Sequence, residues 1–195
     1  MKTILAFGFC FVYFIFSNAQ QEWVSGSVVL KDNEVLVGEI SKRPVHELIL
    51  VNSQEGIKVL PANHISYYRF YDEQENINRQ FLSVKSNDIF GSHRFYEIVI
   101  QGKVKVLRKY HKRSEFMELH EAKDFDYFVL LDEQLIPLTS FKRKILPRLQ
   151  SQHPVEISAF LSMNKLELQS MKATFEIIHF YNKIDCSKEL LAQLE

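Results

Sequence analysis

The chain has 195 residues, of which 46% are apolar and 25% are charged, a composition typical of a folded globular protein. Its 24 acidic and 24 basic residues balance. Nucleic-acid binders gain affinity by neutralising phosphates, so this balance argues against a dedicated nucleic-acid-binding protein. We therefore expect no nucleic acid among its partners.

The first nineteen residues have the order of a secretory signal peptide. Lys2 supplies a positive charge, residues 4–16 form an apolar run, and Ser17-Asn18-Ala19 ends it with small residues. This order predicts cleavage between Ala19 and Gln20. The run of thirteen residues is shorter than the roughly 20 that a membrane-spanning helix needs, and no second run follows. We expect an exported mature chain without a transmembrane segment, in the periplasm or at the outer surface.

Cysteine use agrees with a fold that does not depend on disulfides. Cys10 would leave with the signal peptide, and Cys186 would then be alone. No internal disulfide can form in the mature chain, and a core of this size does not require one. Cys186 is interpreted as a chance or packed thiol, because no activating environment can be read from the sequence.

Residues 20–138 are predicted to form an antiparallel β domain. Short apolar runs of period two alternate with turn residues such as Asp32-Asn33 and Asp132-Glu133. The clearest hairpin joins residues 95–100 to residues 103–110 across Gln101-Gly102. Six to nine strands are expected, in a rolled or sandwich-like sheet.

After Thr139 the apolar period changes to about 3.6, which predicts a helical segment over residues 139–195 that packs on the sheet. Pro147 is expected to end or kink the first helix, and Pro154 to begin the second. The resulting fold class is α+β. The second helix is expected to end near Asn164. The third is expected to be capped by Ser170 and to end near Asn182. The residues of its inward face are expected to be Met171, Phe175 and Ile178.

Three stretches resemble parts of small uncharacterised exported proteins of the Bacteroidetes. They are the cleavage region 17–20, the opening Gly26 to Ile40, and the pattern from Phe141-Lys-Arg-Lys-Ile145 to Phe180-Tyr181-Asn182-Lys-Ile184. Asn33 stands where those proteins usually have a turn glycine, and asparagine tolerates the same backbone region. The resemblance implies a location in the cell envelope and brings no activity with it.

A basic strip follows the predicted Gln101-Gly102 hairpin, and two interpretations of it stay open. Lys103 and Lys105 alternate with Val104 and Val106, so the valines are predicted to turn inward. The side chains predicted to project together are those of Lys103, Lys105, Arg108 and Lys109. One interpretation is a site for an anionic glycan, lipid phosphate or protein partner; the other is a solvated face balanced by Glu115, Glu118 and Glu121. The members of the strip are Lys103, Lys105, Arg108, Lys109, Lys112 and Arg113.

An aromatic cluster surrounds Arg69. Strand alternation places Tyr67, Arg69 and Tyr71 on one face, and Tyr68 and Phe70 on the other. Aromatic rings on an exposed face can stack on sugars or anchor a partner protein. The alternative is that one face belongs to the core and the other to cross-strand packing.

No metal site, cofactor or catalytic residue is assigned. His111, Glu115, Glu118 and His120 cannot all converge, because a helix turns His120 away and a strand aligns only Glu118 with His120. The serine-hydrolase, zinc-protease and phosphate-loop motifs do not occur in the sequence.

The function expected from these patterns is that of a non-catalytic envelope protein acting as a binding or interaction module. Two alternatives remain: a hydrolase-type enzyme with a site made of dispersed residues, and a structural accessory subunit of an envelope complex. An enzyme needs a pocket with convergent polar groups. A binding module needs an exposed aromatic or charged patch, and an accessory subunit needs a broad apolar patch.

Overall fold

The computed structural model describes residues 22–41, 47–86, 91–110, 125–168 and 170–192. The predicted signal peptide, with its cleavage site at Ala19, lies outside these ranges. So do Lys112 and Arg113 of the basic strip, and the residues of the rejected metal grouping from His111 to His120. None of the helices within the described ranges is both long enough and apolar enough to cross a membrane.

Ten strands form one antiparallel sheet, followed by a helical segment, which confirms the predicted α+β class. The sheet has more strands than the six to nine expected. The strand that the sequence did not predict is β6, where three polar residues in succession, 78–80, obscure the alternation. The strands are β1 (Trp23–Leu30), β2 (Val35–Ser41), β3 (Leu48–Ser53), β4 (Gly56–Pro61), β5 (Ile65–Asp72), β6 (Ile77–Lys85), β7 (His93–Ile100), β8 (Lys105–Tyr110), β9 (Phe125–Leu131) and β10 (Gln134–Pro137).

The predicted turns are confirmed by the backbone. Asn33 has a φ of 71°, and Asp132 and Glu133 have φ values of 50° and 59°, the left-handed conformation that tight hairpins require. The strands lie in the order β10-β9-β8-β7-β6-β5-β1-β2-β3-β4. Most neighbouring strands are therefore also consecutive in the chain.

The first part of the sheet is rolled. Glu47, directly before β3, accepts a hydrogen bond from the Phe95 amide of β7 and pairs with Lys109 of β8. In the sheet order, β3 lies five strands from β7, a separation of about 24 Å if the sheet were flat. One glutamate side chain cannot span that distance, so the sheet must curl until β3 approaches β7.

One face of the sheet, here called the inner face, carries two apolar cores. The first core fills the roll and includes Val28, Ile40 and Tyr68, all fully buried. The second lies between β7–β10 and the helices. A single row of cross-strand neighbours runs along the inner face from one core toward the other: Val28, Tyr68, Phe81, Glu97, Arg108 and Tyr127.

The helices cover the second half of the inner face. A 3₁₀ turn (Leu138–Ser140) and a π-helical turn (Phe141–Ile145) lead into α1 (Leu146–Gln152), α2 (Pro154–Asn164) and α3 (Met171–Ala192). The buried helical side chains that contact β7–β10 are Phe141, Ile145, Leu146, Leu149, Ile157, Ile177, Ile178 and Tyr181. The expected packing of the helical segment on the sheet is therefore present.

The helix starts follow local sequence signals. Pro154 begins α2 and Asn164 ends it, and the Ser170 hydroxyl accepts a hydrogen bond from the Ala173 amide at 3.1 Å, as predicted. Pro147 behaves differently from the expectation. It stands in the first turn of α1, where its missing N–H is tolerated, and the π-helical turn precedes it.

The third helix differs from the prediction in two respects. Ile178 is buried and Phe175 packs against the second core, as predicted, but Met171 is exposed. Ile177 and Tyr181 also belong to the inward face. The helix also continues ten residues past Asn182, to Ala192, and therefore contains Cys186, which is exposed. Asn182 does not end the helix because its side chain bonds the β7–β8 hairpin and leaves the helical backbone intact.

Asn182 attaches α3 to that hairpin. Its side-chain oxygen accepts from the Val104 amide at 3.0 Å, and its side-chain nitrogen donates to the Val104 carbonyl at 2.8 Å. Gly102 has a φ of 146°, and a Cβ there would collide with the Asn182 amide. The close approach of helix and hairpin therefore requires glycine at position 102.

We predict that Gly102→Ala destabilises the protein more than Gly56→Ala. Gly56 also has a positive φ, 104°, but a Cβ there would meet nothing within 4 Å. Backbone strain alone should cost Gly56→Ala about 1 kcal/mol. Gly102→Ala should cost roughly 2–3 kcal/mol, because the collision also disturbs the Asn182 hydrogen bonds, each worth about 1 kcal/mol. Urea unfolding measures the free energy of unfolding of both variants. Equal decreases in the two variants would show that Asn182 does not hold the hairpin.

Candidate functional site

The basic strip does not form one projecting surface. Val104 and Val106 are fully buried, as predicted. The prediction that the four basic residues project together is wrong, because β8 begins at Lys105 and leaves Lys103 in the turn. Arg108 shares the inner face with Val106, and its guanidinium lies 4.2 Å from the centre of the Phe125 ring. The strip is therefore divided between the two faces of the sheet.

Three of the four positive charges are paired within the molecule. Arg108 donates two hydrogen bonds to Glu97, at 2.7 and 2.9 Å. Lys109 pairs with Glu47, and Lys103 donates to Asp185 of α3 at 2.9 Å. Glu47 and Asp185 are distant in sequence from their lysines, whereas Glu97 lies on the neighbouring strand of the same hairpin. The acids expected to balance the strip, at 115, 118 and 121, lie outside the described residues. Lys105 is the only member of these four for which the structure gives no acidic partner.

Glu97 is the centre of a largely buried ion network. Besides the two bonds from Arg108, its carboxylate pairs with Arg79, which also donates to Asp72 at 2.6 Å. Burial alone would lower the pKa of Arg79, but its bonds to Asp72 and Glu97 raise it above the ordinary value. Removing one partner of such a network would leave a buried charge unmatched, at a cost of about 3–5 kcal/mol. The network is therefore a structural element.

A second polar cluster joins the helices to the hairpin. Asp185 lies between Lys103 and the His153 ring, whose Nε2 is 3.6 Å from the Asp185 carboxylate. His153 packs edge-on against Tyr181, and the Tyr181 hydroxyl donates to Gln152. Burial raises the pKa of Tyr181 above its ordinary value, while the charge of Lys103 opposes the shift. These groups hold α1 and α3 on the β7–β8 hairpin.

The aromatic cluster divides between the faces as the alternation predicts. Tyr68 and Phe70 are buried in the first core, where Tyr68 stacks on Phe81 at a centroid distance of 4.7 Å. Arg69 and Tyr71 are exposed on the opposite, outer face, and Tyr67 is half-buried there. The same face carries the small side chains of β1, so the Arg69 Nε can donate to the Ser27 hydroxyl at 3.2 Å.

Two exposed valines extend this surface across β1. Val35 pairs with Val29, which pairs with Tyr67, and Val37 pairs with Ser27, which pairs with Arg69. The valines are 56% and 73% exposed, and Tyr71 is 45% exposed. We call this surface the outer-face patch; its members are Val35, Val37, Tyr67, Arg69 and Tyr71. It combines apolar, aromatic and cationic side chains, the types enriched where proteins bind proteins.

The valines of this patch could not be recognised as exposed from the sequence. Successive side chains of a strand point to opposite faces, so Leu36 is expected to lie opposite Val35 and Val37, but all three are apolar. The alternation does not say which face is covered. That depends on the curl of the sheet, which turns Leu36 toward the first core.

Within the described ranges, no group of three histidine, cysteine, aspartate or glutamate side chains is placed to hold a metal ion. Comparison of the chain with protein-family models, with curated proteins and with solved structures finds no match.

One buried hydroxyl has a measurable consequence for stability. The Tyr68 hydroxyl is inaccessible to solvent, and no described residue offers it a hydrogen-bond partner. Burial, followed by the charges of Glu47 and Glu97, holds the pKa of Tyr68 well above its ordinary value. The Tyr68 hydroxyl therefore stays neutral in the folded state. The free energy of unfolding falls once the pH is high enough for Tyr68 to ionise in the unfolded chain.

We predict that Tyr68→Phe leaves the protein equally or more stable at pH 7, because burying an unbonded hydroxyl costs about 1–3 kcal/mol. The wild type should lose stability as the pH rises above about 10, where the unfolded tyrosine ionises and the folded one does not. Tyr68→Phe should lose less over that range. Tyr181→Phe, which removes the bond to Gln152, serves as the control and should be less stable at pH 7. Thermal unfolding at neutral and alkaline pH compares the three proteins, and a large loss in Tyr68→Phe at pH 7 would refute the prediction.

Proposed function

We propose that this protein is a non-catalytic interaction module of the cell envelope that binds a partner protein through the outer-face patch. The observation that carries the proposal is the exposure of Val35, Val37 and Tyr71 beside Arg69 on one continuous strand surface. Exposed apolar side chains arranged in this way favour a partner that removes them from water.

The proposed location is supported by the N-terminal sequence. Residues 1–19 have the order of a signal peptide, and the resemblance to exported proteins of the Bacteroidetes points the same way. An exported chain would meet its partner in the periplasm or at the outer surface. An accessory subunit would use the same patch in a permanent complex, so the two interpretations differ in the lifetime of the complex.

A protein partner fits the patch better than an anionic one. Arg69 is the one cation among its five members, and the rest are valines and tyrosines. Tyrosine and arginine are enriched at the energetic centres of protein interfaces, and a patch with this composition gains most of its affinity from burial. Binding through it should therefore change little with salt, unlike binding to a polyanion.

The enzyme alternative would need polar groups that converge on an accessible pocket. Among the described residues, His153, Asp185 and Lys103 make such a grouping, but His153 and Asp185 are largely buried within the contact between helices and hairpin. This placement supports a structural role for the grouping, and we therefore favour the interaction module.

We predict that Val37→Asn lowers binding to detergent-solubilised envelope proteins at least tenfold, whereas Val155→Asn leaves it unchanged. Val37 and Val155 are the same residue type with nearly equal exposure, 73% and 75%, but Val155 lies on α2, outside the patch. Losing one apolar anchor of an interface costs about 1–3 kcal/mol, and 1.4 kcal/mol corresponds to tenfold in affinity.

The measurement is capture of envelope proteins on the immobilised mature chain at low and high salt. A photo-cross-linking residue at position 37 should label a discrete protein, and the same residue at position 155 should not. Equal binding by the two variants, or labelling at position 155 alone, would contradict the proposal. Circular dichroism controls for folding.

A further inference from the structure

Among the residues that the structure describes, unpaired positive charge is concentrated at the π-helical turn Phe141–Ile145. Phe141 and Ile145 are buried in the second core, while Lys142, Arg143 and Lys144 between them are exposed. No described acidic side chain forms an ion pair with any of the three. The basic strip, in contrast, has three of its four described charges paired.

The sequence around the turn is depleted of acids. No aspartate or glutamate occurs between Glu133 and Glu156, although the whole chain has equal numbers of acids and bases. The one further lysine or arginine in that interval, Arg148, donates to Gln134 at 3.3 Å and lies 3.9 Å from Asp132. The turn therefore carries three uncompensated charges within an otherwise balanced protein.

The turn also borders an open surface depression. The depression is lined by Thr139, Ser140, Lys142 and Arg143. Two hydroxyls, an ammonium and a guanidinium can donate hydrogen bonds to several oxygens of a tetrahedral oxyanion, and the guanidinium can bind two of them at once. This set of donors is suited to a phosphate group.

From this arrangement we propose that Lys142, Arg143 and Lys144, with the hydroxyls of Thr139 and Ser140, bind the phosphate groups of anionic phospholipids at a membrane surface. The depression is open to solvent, so the side chains that line it are accessible to phosphate groups on a membrane surface. Clusters of basic residues gain affinity for anionic bilayers from each added charge.

Exposed apolar residues on α2 favour a lipid source over a soluble phosphate. Val155, Ala159 and Met163 are spaced four residues apart and so share one face of α2, which follows α1 in the chain. Val155 and Met163 are 75% and 81% exposed. Exposed apolar helical side chains can enter the boundary between head groups and acyl chains, while basic side chains are attracted to anionic head groups. The inference uses residues outside the outer-face patch and stands independently of the proposed protein partner. Val155 serves as a control only for the capture of proteins from detergent, where no bilayer is present.

The test compares two variants of the mature chain with the same loss of charge. The triple variant Lys142→Gln, Arg143→Gln, Lys144→Gln removes the cluster. The control variant Lys58→Gln, Lys165→Gln, Lys172→Gln removes three scattered charges from β4, the end of α2 and α3. Binding is measured by co-sedimentation with vesicles of phosphatidylglycerol and phosphatidylcholine, and with vesicles of phosphatidylcholine alone.

The wild type and the control variant should bind the anionic vesicles, and the cluster variant should bind them at least tenfold more weakly. Binding of the wild type should fall as salt rises, and it should be weak on phosphatidylcholine alone. Equal loss in both variants would overturn the proposal, since it would show a dependence on total charge only. Saturable binding of inorganic phosphate without vesicle binding would overturn the lipid assignment. If the capture experiment identified no protein partner, the proposed function would fail, but the expected binding to vesicles would be unaffected.

Discussion

The paired charges around Glu97 are the constraint on which the rest of this structure depends. Glu97 sits on the inner face between the rolled half of the sheet and the half covered by helices, and two arginines hold its carboxylate. A buried carboxylate is tolerated only when its charge and its hydrogen-bonding capacity are both satisfied. Arg79 comes from β6 and Arg108 from β8, so the pairing fixes the positions of three adjacent strands. Because Phe81 and Tyr127 continue the same row on either side, the network also connects the two apolar cores.

The same pairing determines where the protein has surface left for recognition. Glu47, Glu97 and Asp185 each neutralise one cation of the basic strip. The Glu47 and Asp185 bonds hold elements that are far apart in sequence, and the Glu97 bonds hold neighbouring strands. A residue that stabilises the fold in this way contributes little to long-range attraction, because its charge is cancelled nearby. The side chains that we propose for recognition, in the outer-face patch and at the π-helical turn, form none of these ion pairs.

Local features of the fold could be predicted from the sequence, and long-range ones could not. Asn33 and Gly102 mark their turns because few residues adopt positive φ, and Pro154 and Ser170 mark helix starts through backbone hydrogen bonding. The continuation of α3 past Asn182 could not be foreseen, because it depends on a hairpin about 80 residues earlier in the chain.

The candidate sites show the same division. Alternation correctly separated Tyr68 and Phe70 from Tyr67, Arg69 and Tyr71, since the period of a strand is a local property. It could not reveal that Arg108 pairs with Glu97, because opposite charges on neighbouring strands look the same in sequence as solvated ones. The exposure of Lys142, Arg143 and Lys144 was equally hidden, since it depends on which helical face covers the second core.

The central claim is that the Glu97 network makes the two halves one cooperative unit, and equilibrium unfolding tests it most directly. Trp23, the single tryptophan, begins β1 in the rolled half, so its fluorescence reports on that half. The α-helices of the described chain all lie in the other half, so circular dichroism at 222 nm follows the unfolding of that half. We predict that both signals change at the same urea concentration, as expected for two-state unfolding. Two separate midpoints, with the helices lost while the environment of Trp23 is unchanged, would contradict the account.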